Sequence, residues 1–91
     1  MWETVDPDGR RVVLSFDRWR HIVERHDELG RRRSAILLAV SHPDRCIPGR
    51  WVGEEWFFRR TAHPSRWLKV VVHYERDEGR IMTAFPRRRF P

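Results

Sequence analysis

The run Arg66-Trp67-Leu68-Lys69-Val70-Val71-Val72-His73-Tyr74-Glu75 constrains the fold more than any other part of the chain. β-branched and aromatic residues dominate it, and side chains alternate across a strand with a period of two. Leu68, Val70, Val72 and Tyr74 therefore share one face, while Trp67, Lys69, Val71, His73 and Glu75 share the other. The first face is uniformly apolar and reads as the core side of a sheet. Two further strand candidates flank this run, residues 54–60 and 80–85. They are separated from it by Ala62-His63-Pro64-Ser65 and by Arg76-Asp77-Glu78-Gly79, and the second gap suits a tight hairpin loop.

Upstream, Asp6-Pro7-Asp8-Gly9 is a turn signal, and Arg10-Arg11-Val12-Val13-Leu14 suits a short opening strand. Ser15 or Asp17 can then cap a helix in which Trp19, Ile22, Val23, His26 and Leu29 recur at helical spacing until Gly30 ends it. A second, largely apolar helix is predicted from Ser34 to His42, where Pro43 stops it. Pro43-Asp44 and Pro48-Gly49 bracket a short Arg45-Cys46-Ile47 segment. The expected fold is α+β, with two N-terminal helices packed on one face of an antiparallel sheet of about four strands and the other face open. One domain spans residues 1–91, with a core over about 10–86 and a loosely ordered basic tail over 87–91.

With 91 residues there is room for one core, and five Trp and five Phe within a 40% hydrophobic fraction make it feasible despite 35% charged residues. Nineteen Lys and Arg against 13 Asp and Glu leave a net charge of +6, which points to a polyanionic partner, nucleic acid first. Only Lys69 among those cations is a lysine. Arginine's planar fork suits phosphate, although a GC-rich coding sequence accounts for the bias equally well. The single Cys46 allows no internal disulfide and lacks the companions of a zinc site. Neither a signal peptide nor a membrane-spanning run is visible, so a cytoplasmic location is expected.

Chemistry at a phosphodiester of a nucleic-acid partner needs a proton acceptor, a proton donor and cations around phosphorus, needs that histidine and arginine can meet. By periodicity His26 points toward the sheet, as a buried structural histidine would. His21 and Arg25 are neighbours at i and i+4 on a more polar side. Lys69 and His73 lie on the open sheet face, where Arg59 and Thr83 on neighbouring strands are expected to converge with Lys69 around a phosphate. Trp67, beside Lys69, is the ring most suited to stack a nucleobase, among Trp51, Trp56, Phe57 and Phe58. Arg31-Arg32-Arg33 and Arg87-Arg88-Arg89 read most simply as solvated charge. No metal site is expected: His21 and His26 fall on different sides of a helix, and no H-E-x-x-H is present.

Two segments add a family resemblance. Trp19-Arg20-His21-Ile22-Val23-Glu24-Arg25-His26-Asp27-Glu28-Leu29 and Gly79-Arg80-Ile81-Met82-Thr83-Ala84-Phe85 resemble the small RNase domains of the barnase/EndoU/colicin/RelE-like superfamily, in its phage and bacterial toxin branches. Those branches start with a W-x-H-I-x-x-R-H-x-E-L helix and finish on an I-x-T-A-aromatic strand. The resemblance runs from about Val13 to Phe85; Asp27 stands where members often carry proline. It implies a metal- and cofactor-independent endoribonuclease toxin working by 2′-hydroxyl transesterification. By motif it assigns His21, His26, Arg25 and Thr83 to the catalytic set, whereas Arg59, Lys69, His73 and Trp67 are RNA-binding candidates on geometry. The implied partners are RNA, the ribosome in some branches, and an acidic antitoxin or immunity protein. A non-catalytic RNA-binding or protein-interaction module of the same fold is the competing reading.

Overall fold

The computed structural model describes residues 1–62 and 66–91; His63, Pro64 and Ser65 of the loop expected between two strands lie outside the described residues. A hairpin of β1 (Trp2–Val5) and β2 (Arg11–Leu14) leads into helices α1 (Phe16–Arg25) and α2 (Arg33–Ser41), joined through a 3-10 turn at Asp27–Leu29. Strands β3 (Arg45–Pro48), β4 (Glu54–Arg60), β5 (Trp67–Glu75) and β6 (Glu78–Arg87) follow. The six strands form one sheet in the order β1-β2-β6-β5-β4-β3. All neighbours are antiparallel except β2 and β6, which run parallel.

This corrects the expectation of about four antiparallel strands behind two N-terminal helices. The sheet has six strands, it is mixed, and a hairpin precedes the helices. β1 escaped notice because only Trp2 and Thr4 share the core-facing side of its ladder with Leu14 and Val12, too short an alternation to stand out. β3 contains Pro48 and lies at the sheet edge, where a missing backbone N–H is tolerated. The β2–β6 pairing joins Arg11 to Glu78, so it leaves no local mark on the sequence.

The helices begin and end for visible reasons. Ser15 caps α1, its hydroxyl oxygen accepting the Arg18 N–H at 3.1 Å. The helix stops earlier than the expected Gly30: His26 takes φ −140° and ψ 77°, and the tighter turn after it carries Leu29 into the core. Ile22, Leu29, Ile36, Ala39 and Val40 pack there against Val12, Leu14, Phe57, Leu68, Val70, Val72, Ile81 and Ala84. The alternation of β5 holds, with Leu68, Val70, Val72 and Tyr74 buried on that side.

β6 departs from simple alternation. Val71 faces Thr83 and Val72 faces Ile81, so Met82 is an extra residue, a β-bulge. Without it, Ile81, Thr83 and Phe85 would share one face; with it, Ile81 enters the core while Thr83 and Phe85 stay on the side away from the helices. The turn before β6 is also tighter than expected, since Glu75 already pairs with Glu78 and Arg76 takes φ 60°. The basic tail makes defined contacts with the sheet. Strand β6 runs through Arg87, whose guanidinium donates to the Pro91 carbonyl at 2.8 Å, and the Phe90 ring packs edge-on against Phe58 at 4.7 Å.

Gly79 lies where β2, β5 and β6 meet. A Cβ there would come within 2.7 Å of the Tyr74 ring and 2.9 Å of a Val72 methyl. Gly79→Ala is therefore expected to cost about 1–3 kcal/mol through overpacking, read as a shift in the denaturant midpoint at unchanged slope. A variant as stable as the wild type would show that the strands part there at little cost. Among the described residues, no helix is long and apolar enough to cross a membrane.

Candidate nucleic-acid interface

The sheet face away from the helices is built in cross-strand rows. Phe58, Lys69 and Phe85 form one row; Trp56, Val71 and Thr83 the next; Arg60, Trp67 and Arg87 a third; and Glu54, His73 and Arg80 a fourth. Lys69 is central and only 6% exposed. Its Nζ sits 3.4 Å from the centroid of Trp56, 5.4 Å from that of Phe85 and 5.5 Å from that of Phe58. Ring faces attract an ammonium through their quadrupole, so the three aromatics replace part of the lost hydration. Glu54 fixes the nearest ring by accepting the Trp56 Nε1–H at 2.8 Å.

Among the described residues no carboxylate forms an ion pair with Lys69. Burial lowers the ammonium's pKa below the usual lysine range, and the positive charge of Arg87 lowers it further; Glu54 pulls the other way, and Arg50 adds a smaller lowering. A cation so held is an electrostatic asset toward an anion that comes to it. Thr83 is its diagonal neighbour one row away, a relation that spans roughly 7–8 Å between strands.

The break in α1 brings His26 to the same place. Its ring stacks on Phe85 with centroids 5.8 Å apart and planes 29° apart, and its Nδ1 lies 3.7 Å from Glu28 Oε1. His26, Phe85, Lys69 and Trp56 thus form a continuous track from the helix end across the sheet. His73 is on this face too, its Nε2 3.9 Å from Glu75. His26 was expected inside a helix and facing the sheet; it instead caps the helix and remains half-buried.

Arg59 does not converge with Lys69 and Thr83. It pairs with core-facing Leu68, donates to the His42 carbonyl, and lines a cavity of about 150 Å³ on the helix side with Arg32 and Ala35. The expectation missed by one residue: Arg60 occupies the Lys69 face, its guanidinium 4.9 Å from the Trp67 ring. Trp67 is half-buried beneath Phe90, with centroids 5.6 Å apart. On α1, His21 is half-buried and Arg25 exposed, and among the described residues neither side chain makes a hydrogen bond or an ion pair.

Two features had no counterpart in the sequence reading. A cavity of about 450 Å³ opens where β2 stops beside the β6 bulge, lined by Met1, Val13, Ser15, Arg18, Arg80 and Met82 among others. It gathers two guanidinium-bearing residues through a bulge and a parallel pairing that no local pattern announces. Near the C-terminal end of β5, Asp6 is 4% exposed and accepts from the Tyr74 hydroxyl at 2.7 Å and from Arg10 Nε at 2.8 Å. Its other oxygen accepts the N–H groups of Asp8 and Arg10. Arg10 continues to Glu55 at 2.9 Å.

Desolvation alone would push the Asp6 carboxyl up, but the bonds from Tyr74 and Arg10 outweigh it and hold the group below the usual carboxylate range. This network is fully satisfied and structural. Beside it, Cys46 is exposed, and partial desolvation of its sulfur first and the Glu55 carboxylate second push the thiol's pKa up, which leaves a poor nucleophile. Among the described residues no three His, Cys, Asp or Glu side chains gather as a metal site requires. Comparison with known proteins finds no family model, no curated protein and no solved structure that matches the chain.

Proposed function

We propose that this protein is a metal-independent endoribonuclease of the barnase/EndoU/colicin/RelE-like superfamily, acting as a toxin on RNA in the cytoplasm. The observation that carries the reading is the buried Lys69 on the open sheet face, with no ion-pair partner among the described residues, Thr83 one row away and His26 joined to it through Phe85. In this reaction the 2′-oxygen loses its proton and attacks phosphorus, the bond to the 5′-oxygen breaks, and that oxygen takes up a proton. The products are a 2′,3′-cyclic phosphate and a 5′-hydroxyl. His26 transfers protons, Lys69 meets the charge that gathers on the phosphoryl oxygens, and Thr83 orients the phosphate. Arg60, Arg80 and Arg87 hold flanking phosphates. An acidic antitoxin or immunity protein is the partner this +6 chain calls for, and the ribosome is a second site of action to test.

One observation favours a non-catalytic RNA-binding or protein-interaction module instead: among the described residues, the side chains of His21 and Arg25 join no polar network with the Lys69 face. The two readings separate in one experiment. In excess EDTA, wild-type protein is expected to cut total RNA into fragments ending in 2′,3′-cyclic phosphate. His26→Ala should slow cleavage by roughly a hundredfold, the lower range for a lost general acid or base. Thr83→Val should slow it less, and His21→Ala least if the Lys69 face is the site. RNA left intact by folded protein, with and without ribosomes, would sink the nuclease reading.

A further inference from the structure

We infer that the Phe58–Trp67 surface is a nucleobase-stacking subsite that Phe90 fills in the free protein. The Phe90 ring lies 4.7 Å from Phe58 and 5.6 Å from Trp67, centroid to centroid. Phe90 meets Phe58 edge-on and Trp67 at a tilt of 43°, so this surface already accommodates a planar aromatic group. Cations border it in the arrangement a nucleotide needs: Arg45 sits 5.3 Å from the Phe90 ring, Arg60 sits 4.9 Å from the Trp67 ring, and Arg87 shares the row of Arg60 and Trp67. A base with a phosphate on either side would meet rings in the middle and guanidinium groups at the rim, as single-stranded nucleic acid does on stacking platforms. The subsite adjoins Lys69, since Phe58 belongs to the Lys69 row and Trp67 to the next.

Phe90 is well suited to leave. It follows the end of β6, and Arg87 to the Pro91 carbonyl is the one side-chain hydrogen bond that ties this segment down among the described residues. Phe58, by contrast, is fully buried at the centre of the sheet. RNA and Phe90 then compete for one surface, and the apparent affinity for RNA is reduced by the fraction of molecules in which Phe90 is docked.

The identity of the ligand rests on the RNA reading above, so the test measures binding without cleavage. A short single-stranded 2′-O-methyl oligonucleotide, which has no free 2′-hydroxyl, is titrated with wild-type protein, Phe90→Ala, Trp67→Leu and the double variant, followed by fluorescence anisotropy. Phe90→Ala is expected to bind roughly tenfold tighter, and Trp67→Leu at least fivefold weaker. The gain from Phe90→Ala should vanish in the double variant, and also with an abasic oligonucleotide, a control that alters no residue of the protein. Folding of each variant is read from its thermal transition. Folded Phe90→Ala that binds no tighter than wild type, or that gains equally on the abasic strand, overturns the subsite. Failure of the RNA cleavage assay while these binding differences hold would remove the enzyme and leave the subsite.

Discussion

Lys69→Met is expected to lower RNA cleavage at least a hundredfold while unfolding at the wild-type temperature or above it. Most substitutions of a buried residue lower activity by lowering stability, and the two effects should part company here. Lys69 holds its charge inside a frame of Trp56, Phe58 and Phe85 with no ion-pair partner among the described residues. Taking an ammonium out of water costs several kcal/mol, of which a desolvated cation–π contact returns about 2 kcal/mol. Methionine fills nearly the same volume, keeps a favourable contact with the rings through sulfur, and carries no charge to desolvate. Removing a preorganised charge from a transition state costs about 10²–10³ in rate.

The pH dependence of stability gives a second readout. Because the folded-state pKa of Lys69 is lowered, the unfolded chain binds more protons between that value and its ordinary value near 10.4, so stability rises with pH across that interval. The rise should be absent in Lys69→Met, as followed by denaturant unfolding at a series of alkaline pH values. Full cleavage by Lys69→Met would remove this residue from the mechanism. Lost cleavage with an equally large loss of stability would make it a structural residue.

What the sequence makes legible depends on how far apart the partners are. The core face of β5 can be read from alternation because Leu68, Val70, Val72 and Tyr74 obey one local rule, and the Ser15 cap lies next to the helix it starts. Lys69 can be recognised as anomalous for the same reason, as the charged member of a β-branched run. Its three rings cannot be, because Trp56 and Phe58 come from one neighbouring strand and Phe85 from the other, in a register set by tertiary packing. Arg59 shows how sharp the limit is: a one-residue uncertainty in facing moves a cation from one side of the sheet to the other, and Arg60 takes the place expected of it.

Thr83 reaches the open face through a different route from the one its spacing suggests. A regular strand through Ile81, Thr83 and Phe85 has to choose between a buried isoleucine and an outward hydroxyl, and the Met82 bulge allows both. His26 depends in the same way on a local irregularity, the end of α1, which turns an inward helical position into a capping residue stacked on β6. The candidate site is thus assembled at the two places where the chain leaves regular geometry. Local pattern could name its residues but not bring them together.

The buried carboxylate of Asp6 should account for the largest single loss of stability. Asp6→Ala is expected to cost about 3 kcal/mol, because it removes four hydrogen bonds and leaves the Tyr74 hydroxyl and part of the Arg10 guanidinium unpaired next to the core. In a domain of this size that is a fall of roughly 12–24 °C in the midpoint of thermal unfolding. The loss belongs to four strands at once: Asp6 closes the β1–β2 turn, Tyr74 anchors it to β5, and Arg10 carries it on to Glu55 of β4. Tyr74→Phe deletes one bond and should cost about 1 kcal/mol. The folded-state pKa of Asp6 lies below its unfolded value, so its contribution is fully present above about pH 4 and is lost as pH falls through the lower folded value. Asp6→Asn, which cannot ionise, should therefore lose less stability than wild type on acidification, the difference growing below pH 4. Wild-type and Asp6→Asn stabilities that fall in parallel would mean that the acid sensitivity arises from other carboxylates and that Asp6 acts through turn geometry alone.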